Sequence, residues 1–418
     1  MNIFNTIAII ITLSALFSFI NYRYIKLPSV IGLMLISLLV SLGIIGINLL
    51  GFDLKVTALM REIDFNQTLM VGMLSYLLFA GALHVDIDDL LENRLEIGLF
   101  ATVGVILSTI IVAYLTYFTF LAIGQPIQII YCFLFGALIS PTDPIAVLGI
   151  LKKAGAPKSL EIKIAGESLF NDGIGMVVFL VIFDIAFGQT AIDPIQISLM
   201  FAGEVFGGVL LGLFLGYISY LALKQVDQYQ VEILITLALV TGGYALALVL
   251  HVSGPIVVVI AGLLIGNQGR QFAMTHKTRQ HLDSFWDLID EILNSALFVL
   301  IGFELLVVSF SANYLFLGII AILIVVLARF IALAIPISII GLFKPVTPGA
   351  LKVLTWGGLR GGISIALALS LPKFEFRDEI ITITYIIVVF SIVVQGLTIG
   401  KLVKATAQFR RKKRRNYR

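Results

Sequence analysis

The chain has 418 residues, of which 59% are hydrophobic and 13% charged, with a formal net charge of +3. Soluble chains carry about 25% charged residues, so this composition, with a mean hydropathy of +1.07, excludes an ordinary soluble domain. What remains is an all-α polytopic membrane protein, because the roughly ten-residue alternating segments of a membrane β-barrel are absent.

Apolar runs long enough to cross a bilayer recur from end to end. They predict thirteen spans, near residues 4–20, 28–49, 66–83, 96–123, 128–151, 164–187, 195–223, 231–250, 255–268, 285–309, 314–341, 353–371 and 380–400. The first span opens MNIFNT, without Lys or Arg and without a small-residue cleavage site behind it, so it reads as a retained helix and not a signal. No linker or low-complexity block interrupts the series, which describes one membrane domain, 1–400, followed by a basic tail, 401–418. The single cysteine, Cys132, excludes an internal disulfide and reads as a small packing residue.

Basic residues set the orientation. With thirteen spans the termini lie on opposite sides, and a cytoplasmic C-terminus places 22 Lys and Arg inside against 4 outside, Arg329 and Arg360 falling within spans. That split predicts an N-terminus outside and a C-terminus inside. The tail QFRRKKRRNYR, directly behind the last span, is expected to meet anionic lipid headgroups and not nucleic acid.

Polar residues at membrane depth are costly and mark function by default. In GALISPTDPIAV, residues 136–147, Asp143 sits between Pro141 and Pro144. Each proline lacks an N–H, so the carbonyls of Ala137 and Ser140 are expected to lose their helical partners and the helix to break. Free backbone oxygens beside a carboxylate and the Thr142 hydroxyl suit an alkali cation. The competing reading is a proline kink whose aspartate merely caps the following half-helix.

In GESLFNDG, residues 166–173, Glu167, Ser168, Asn171 and Asp172 fall at roughly 0°, 100°, 40° and 140° on a helical wheel and share one face. Two carboxylates cannot face hydrocarbon, so this face must meet another polar element or a water-filled cavity; a purely structural hydrogen-bond network is the alternative. In WGGLRGG, residues 356–362, Arg360 is bracketed by Gly357, Gly358, Gly361 and Gly362, which permit close packing or an unwound crossing. The broken fifth and twelfth spans occupy similar places in the two halves of the chain, the pattern of inverted repeats meeting at a midplane site. Arg360 is expected to pair with an acid, Glu167 being the choice.

SPTDPIAV, GESLFNDG, FWDLIDEILNSALFVLIGFEL and GGLRGG, in that order, resemble the monovalent cation:proton antiporter 1 family, the NhaP-type relatives of the sodium/proton exchangers. The resemblance implies a homodimer whose protomers combine dimerisation helices, about 4–83 and 195–309, with a core, about 96–187 and 314–400, that moves like an elevator. It implies a Na⁺ or Li⁺ and proton site at Asp172, Asp143, Ser168 and Thr142, shaped by Asn171, Glu167 and Arg360, with Arg329 a second charge partner. It also implies electroneutral 1:1 exchange, because Asn171 precedes Asp172 where electrogenic relatives carry a second aspartate. If proton and cation compete for the same desolvated oxygens, coupling needs no second site, since an empty charged site crosses at a penalty.

Lesser candidates stay open. Glu204, Asp290 and Glu291 lie in or near spans and admit structural as readily as functional roles, Asp184 can reach headgroups or water, and the four histidines fall at span ends or loops as solvated side chains. The acidic loop HVDIDDLLEN is either a solvated turn or an attractor of cations to the inner mouth. No G-x-x-x-x-G-K-[ST] loop is present, so ATP-driven pumping is not expected; the transporter reading carries no expectation of enzymatic activity or of a cofactor beyond the transported Na⁺ and H⁺. A K⁺/H⁺ antiporter, a proton-coupled solute symporter and a cation channel are the rival functions.

Overall fold

The computed structural model describes residues 3–51, 60, 65, 68–188, 194–308, 312–344, 347 and 349–415. Among these residues the chain is helical, with no β-strand beyond one isolated bridge. Of the basic residues in the orientation argument, Lys55, Arg61 and Arg418 lie outside the described residues.

The first half comprises α1 (Ile3–Ile20), α2 (Ser29–Leu49), α3 (Leu74–Leu83), the short α4 (Ile87–Glu92), α5 (Arg94–Ala122), the broken pair α6 (Ile129–Ile139) and α7 (Ile145–Ala154), and α8 (Lys158–Phe187). The second comprises α9 (Pro194–Leu223), α10 (Tyr229–Val249), α11 (Gly254–Leu264), α12 (His276–Glu304), α13 (Ala312–Gly341), the broken pair α14 (Ala350–Gly357) and α15 (Gly362–Leu369), and α16 (Arg377–Phe390), which runs through a wider turn into α17 (Gly396–Arg415). Eight of the described helices are long and apolar enough to span a bilayer. Among the described residues, every expected span falls on a helix or a broken pair. The expected break in the fifth span and the unwound crossing in the twelfth are both present.

One boundary differs in an instructive way. The helix expected from residue 164 starts at Lys158, and Lys163, counted with the inner loop, is 4% exposed and ion-paired with Glu96 on α5. Hydropathy alone assigns a lysine to water, whereas here a neighbouring helix supplies its counter-charge.

Packing fixes the helices that frame the site. α5 lies along α6, where Gly136 lets the backbones meet: a Cβ there would strike the Thr109 carbonyl. α12 packs on α2 and α3, anchored by the fully buried Trp286, whose indole donates to Thr236 Oγ1 at 3.1 Å and whose ring lies 4.7 Å from that of Phe79. α9 is the most outward helix, presenting Leu199, Phe206, Leu210 and Phe214. Such an apolar face suits lipid or another copy of the chain.

Candidate cation and proton site

The site forms where the two broken helices cross. Pro141 and Pro144 end α6 and start α7, and between them the chain is extended enough for the Asp143 N–H to donate to the Leu359 carbonyl at 2.8 Å, an isolated antiparallel bridge between the two breaks. Asp143 Oδ1 accepts the Ile145 N–H at 2.9 Å and so caps α7. Capping and cavity lining coexist in this residue, because it also borders a cavity beside the crossing. Gly361 makes the crossing possible: a Cβ there would overlap the Asp143 carboxylate. Its backbone (φ −123°) suits any residue, so space and not conformation demands the glycine.

The carbonyls freed by the prolines do not both face the site as expected. Ala137 O accepts the Ser140 N–H at 3.3 Å, while Ser140 O and Pro141 O accept from Arg360 Nη1, the latter at 2.8 Å. Arg360, 2% exposed, is held by its own N–H donating to Ser391 Oγ at 2.9 Å, and Ser391 donates to Gln395 Oε1 at 2.6 Å. The expected Arg360–Glu167 pair is therefore corrected. Glu167, 1% exposed, is ion-paired with Arg329 of α13, and Arg360 neutralises the carbonyl end of α6 instead. The physical reason is reach. Arg360 lies within the break beside α6, whereas Arg329 runs past Gly358, where a Cβ would come within 2.7 Å of its Nε. A guanidinium thus sits at the C-terminal end of each half-helix that precedes a break, where the helix dipole is negative.

Asn171 braces α8 against the first break. Its Oδ1 accepts the Thr142 N–H at 3.2 Å, its Nδ2 donates to Thr142 Oγ1 at 2.7 Å, and Thr142 Oγ1 lies 3.1 Å from Ser168 Oγ. The shared helical face thus separates into layers. Asp172 and Thr142 line the cavity with Asp143, Ser168 and Asn171 stand behind Thr142, and Glu167 points to the arginine layer. Asp172, 8% exposed, has no hydrogen-bond partner among the described residues.

The cavity measures about 300 Å³. Its base is formed by the two breaks and α8, its opposite wall by α3 and α12, and its mouth by His84 and Asp287. His84 Nε2 lies 3.2 Å from Asp287 Oδ1 and its Nδ1 2.9 Å from the Ala80 carbonyl, so the histidine expected in solvent has an acidic partner. Asp290, left open above, lines the same cavity. Ser391 and Gln395 were not singled out, although two polar residues at i, i+4 spacing in an apolar span carry the same signal as Glu167 and Asn171.

The arrangement is that of a polytopic helical membrane protein with two broken helices crossing beside a cavity bordered by carboxylates, and comparison with known proteins gives its family. Residues 9–405 match the family described as sodium/hydrogen exchanger, transmembrane, and the chain belongs to that family. It is 48% identical over 405 residues to the Na⁺/H⁺ antiporter NhaP of Pseudomonas aeruginosa, covering 95% of this chain and 96% of the relative. It is 34% identical over 346 residues to the Na⁺/H⁺ antiporter NhaH of Halobacillus dabanensis, covering 81% and 83%. Its fold is that of the sodium proton antiporter MjNhaP1 from Methanocaldococcus jannaschii at pH 8, with TM-score 0.75 at 19% identity over 96% and 98% of the two chains.

Proposed function

We propose that this chain exchanges Na⁺ or Li⁺ for H⁺ across the cell membrane, with proton and cation competing for the carboxylates of Asp172 and Asp143. The observation that supports it most is one cavity bordered by two carboxylates from adjacent broken and unbroken helices, one of them without a hydrogen-bond partner among the described residues. The relatives named above are Na⁺/H⁺ antiporters, which favours Na⁺ over K⁺ as the cation.

The mechanism follows from the layers. Thr142 offers a hydroxyl oxygen on the cavity wall beside the carboxylates, with the Ser168 hydroxyl 3.1 Å behind it, and Asn171 holds Thr142 in place through its backbone and its hydroxyl. A carboxylate in low dielectric is costly as a bare anion, so it crosses only when a proton or a cation neutralises it. Binding one therefore requires release of the other. Asn171 contributes no titrating group, which favours replacement of one positive charge by one and an electroneutral exchange.

The cavity lies between two groups of helices, which supports an elevator motion of the core, 96–187 and 314–400, past a dimerisation unit, 4–83 and 195–309, in a homodimer. Its mouth, at His84 and Asp287, is on the side of the loops assigned to the cytoplasm, consistent with an N-terminus outside and a C-terminus inside.

The test is dye-monitored proton flux in proteoliposomes, with Na⁺, Li⁺ and K⁺ added over a pH series. Flux driven by Na⁺ or Li⁺ and unchanged by valinomycin-clamped potentials is the expected result. Flux driven by K⁺ alone or a rate that follows the imposed potential would reject the ion or the stoichiometry.

A further inference from the structure

We propose that Asp290 is a positioning residue for transport: it draws the cation from the cavity mouth to Asp143 and Asp172, and so sets the apparent cation affinity without being the carrier. The proposal rests on the Na⁺/H⁺ reading above and goes beyond it.

Asp283, Asp287, Asp290, Asn294, Leu297, Ile301 and Glu304 follow one another on α12 at intervals of four and three residues. At about 100° per residue they occupy an arc of roughly 100°, one face of the helix. Burial deepens along that face: Asp287 is exposed, Asp290 half-buried, and Asn294 and Leu297 buried. Leu297 also closes the path, packing so tightly on Gly362 of α15 that a Cβ there would lie 2.5 Å from its Cδ1. The polar part of the face is thus a short ramp from the mouth to the base of the cavity.

The carboxylates on the ramp are not equivalent. Asp283 is engaged by Arg270 and Arg279, and Asp287 by His84. Asp290 has no cationic partner within ion-pair distance among the described residues, and one turn further along the helix the buried Asn294 leaves its Oδ1 without a partner. A half-buried carboxylate with no counter-ion, next to an unpaired buried carbonyl oxygen, is costly in a structural role alone. The described residues lining the cavity include Asp143, Asp172, Asp287 and Asp290 and neither Lys nor Arg. Low-dielectric walls bearing one sign of charge concentrate the field and raise the local density of counter-ions. Asp290 lies within electrostatic reach of Asp143, so a cation beside it is already in the field of the site.

The adjacent Glu291 supplies a control. It is exposed, about 100° away on the helix, and borders a different depression with Arg23 and Lys26.

The experiment measures the apparent KM for Na⁺ and the maximal rate of proton flux in proteoliposomes. Asp290→Asn is expected to raise KM about tenfold with the maximal rate within about a factor of two, the scale of one unit charge acting across ~10 Å at an effective dielectric near 20. Asp290→Glu is expected to restore most of the affinity, and Glu291→Gln to leave both quantities at the parent values. Asp290→Cys in a Cys132→Ser background then tests charge within one folded protein: a sulfonate-bearing thiol reagent is expected to lower KM and a trimethylammonium reagent to raise it. An unchanged KM in Asp290→Asn, a lost maximal rate that Asp290→Glu does not restore, or equal shifts with the two reagents overturns the proposal. A parent chain that moves no Na⁺ overturns the exchange reading as well, whereas parent-like affinity in Asp290→Asn beside an active parent overturns this one alone.

Discussion

The two helix breaks reach similar geometry by opposite chemistry. The first uses Pro141 and Pro144, which delete N–H donors, and it carries the acid Asp143. The second uses Gly358 and Gly361, which delete side-chain volume, and it carries the base Arg360. They meet at the Asp143–Leu359 bridge. Each needs what the other supplies: the carbonyls at the end of α6 are satisfied by Arg360 from the second break, and the space for the Asp143 carboxylate exists because Gly361 has no side chain. The difference assigns the roles. The proline break presents charge to the cavity, and the glycine break supports it from behind.

The strongest way to break that comparison is to neutralise the cavity side. Asp172→Asn retains shape but cannot alternate between proton and cation, and it is expected to reduce Na⁺-driven proton flux at least a hundredfold in proteoliposomes while the protein remains monodisperse. Flux near the parent level would move the carrier elsewhere.

Next in size is the arginine layer. Removing one member of a buried ion pair costs about 3–5 kcal/mol, so Arg329→Gln is expected to lower the melting temperature in detergent sharply, and Glu167→Gln on the same chain to recover part of the loss. A double-mutant cycle sharpens the assignment, because strong coupling is expected between residues 167 and 329 and weaker coupling between 167 and 360. The reverse order would restore the Arg360–Glu167 pairing that the sequence suggested.

That pairing shows where sequence reasoning stops. The break at Pro141 and Pro144, and the shared face of Glu167, Ser168, Asn171 and Asp172, were legible because proline chemistry and helical periodicity are local. Which arginine meets Glu167 is not local: both lie in later spans, more than 150 residues on, and only the crossing of α13 with the second break decides it. For the same reason the Ser140 carbonyl, predicted to face a cation, was not recognisable as an acceptor for Arg360. The burial of Lys163 depends on Glu96 in another helix and escaped hydropathy. The ramp on α12 was present in the spacing of its acids, yet nothing in the spacing says which face of α12 looks into the cavity.

The smallest expected effect separates the two kinds of glycine at the second break. Gly361→Ala places a methyl on the Asp143 carboxylate and is expected to raise the apparent KM for Na⁺ by about tenfold, the equivalent of roughly 1.4 kcal/mol. Gly362→Ala meets only the flexible end of Leu297 and is expected to change affinity less. Equal effects at the two positions would show that the break tolerates volume and that the close approach of Gly361 to Asp143 has no functional weight.

The central claim is that proton and cation share one site, and the dependence of Na⁺ affinity on pH tests it most directly. With purified protein in proteoliposomes, competition predicts that lowering the pH raises the apparent KM for Na⁺, approaching about tenfold per pH unit, while saturating Na⁺ restores the full rate. A KM that stays constant as the pH falls, with a declining maximal rate, would contradict a shared site and place the proton on a separate group.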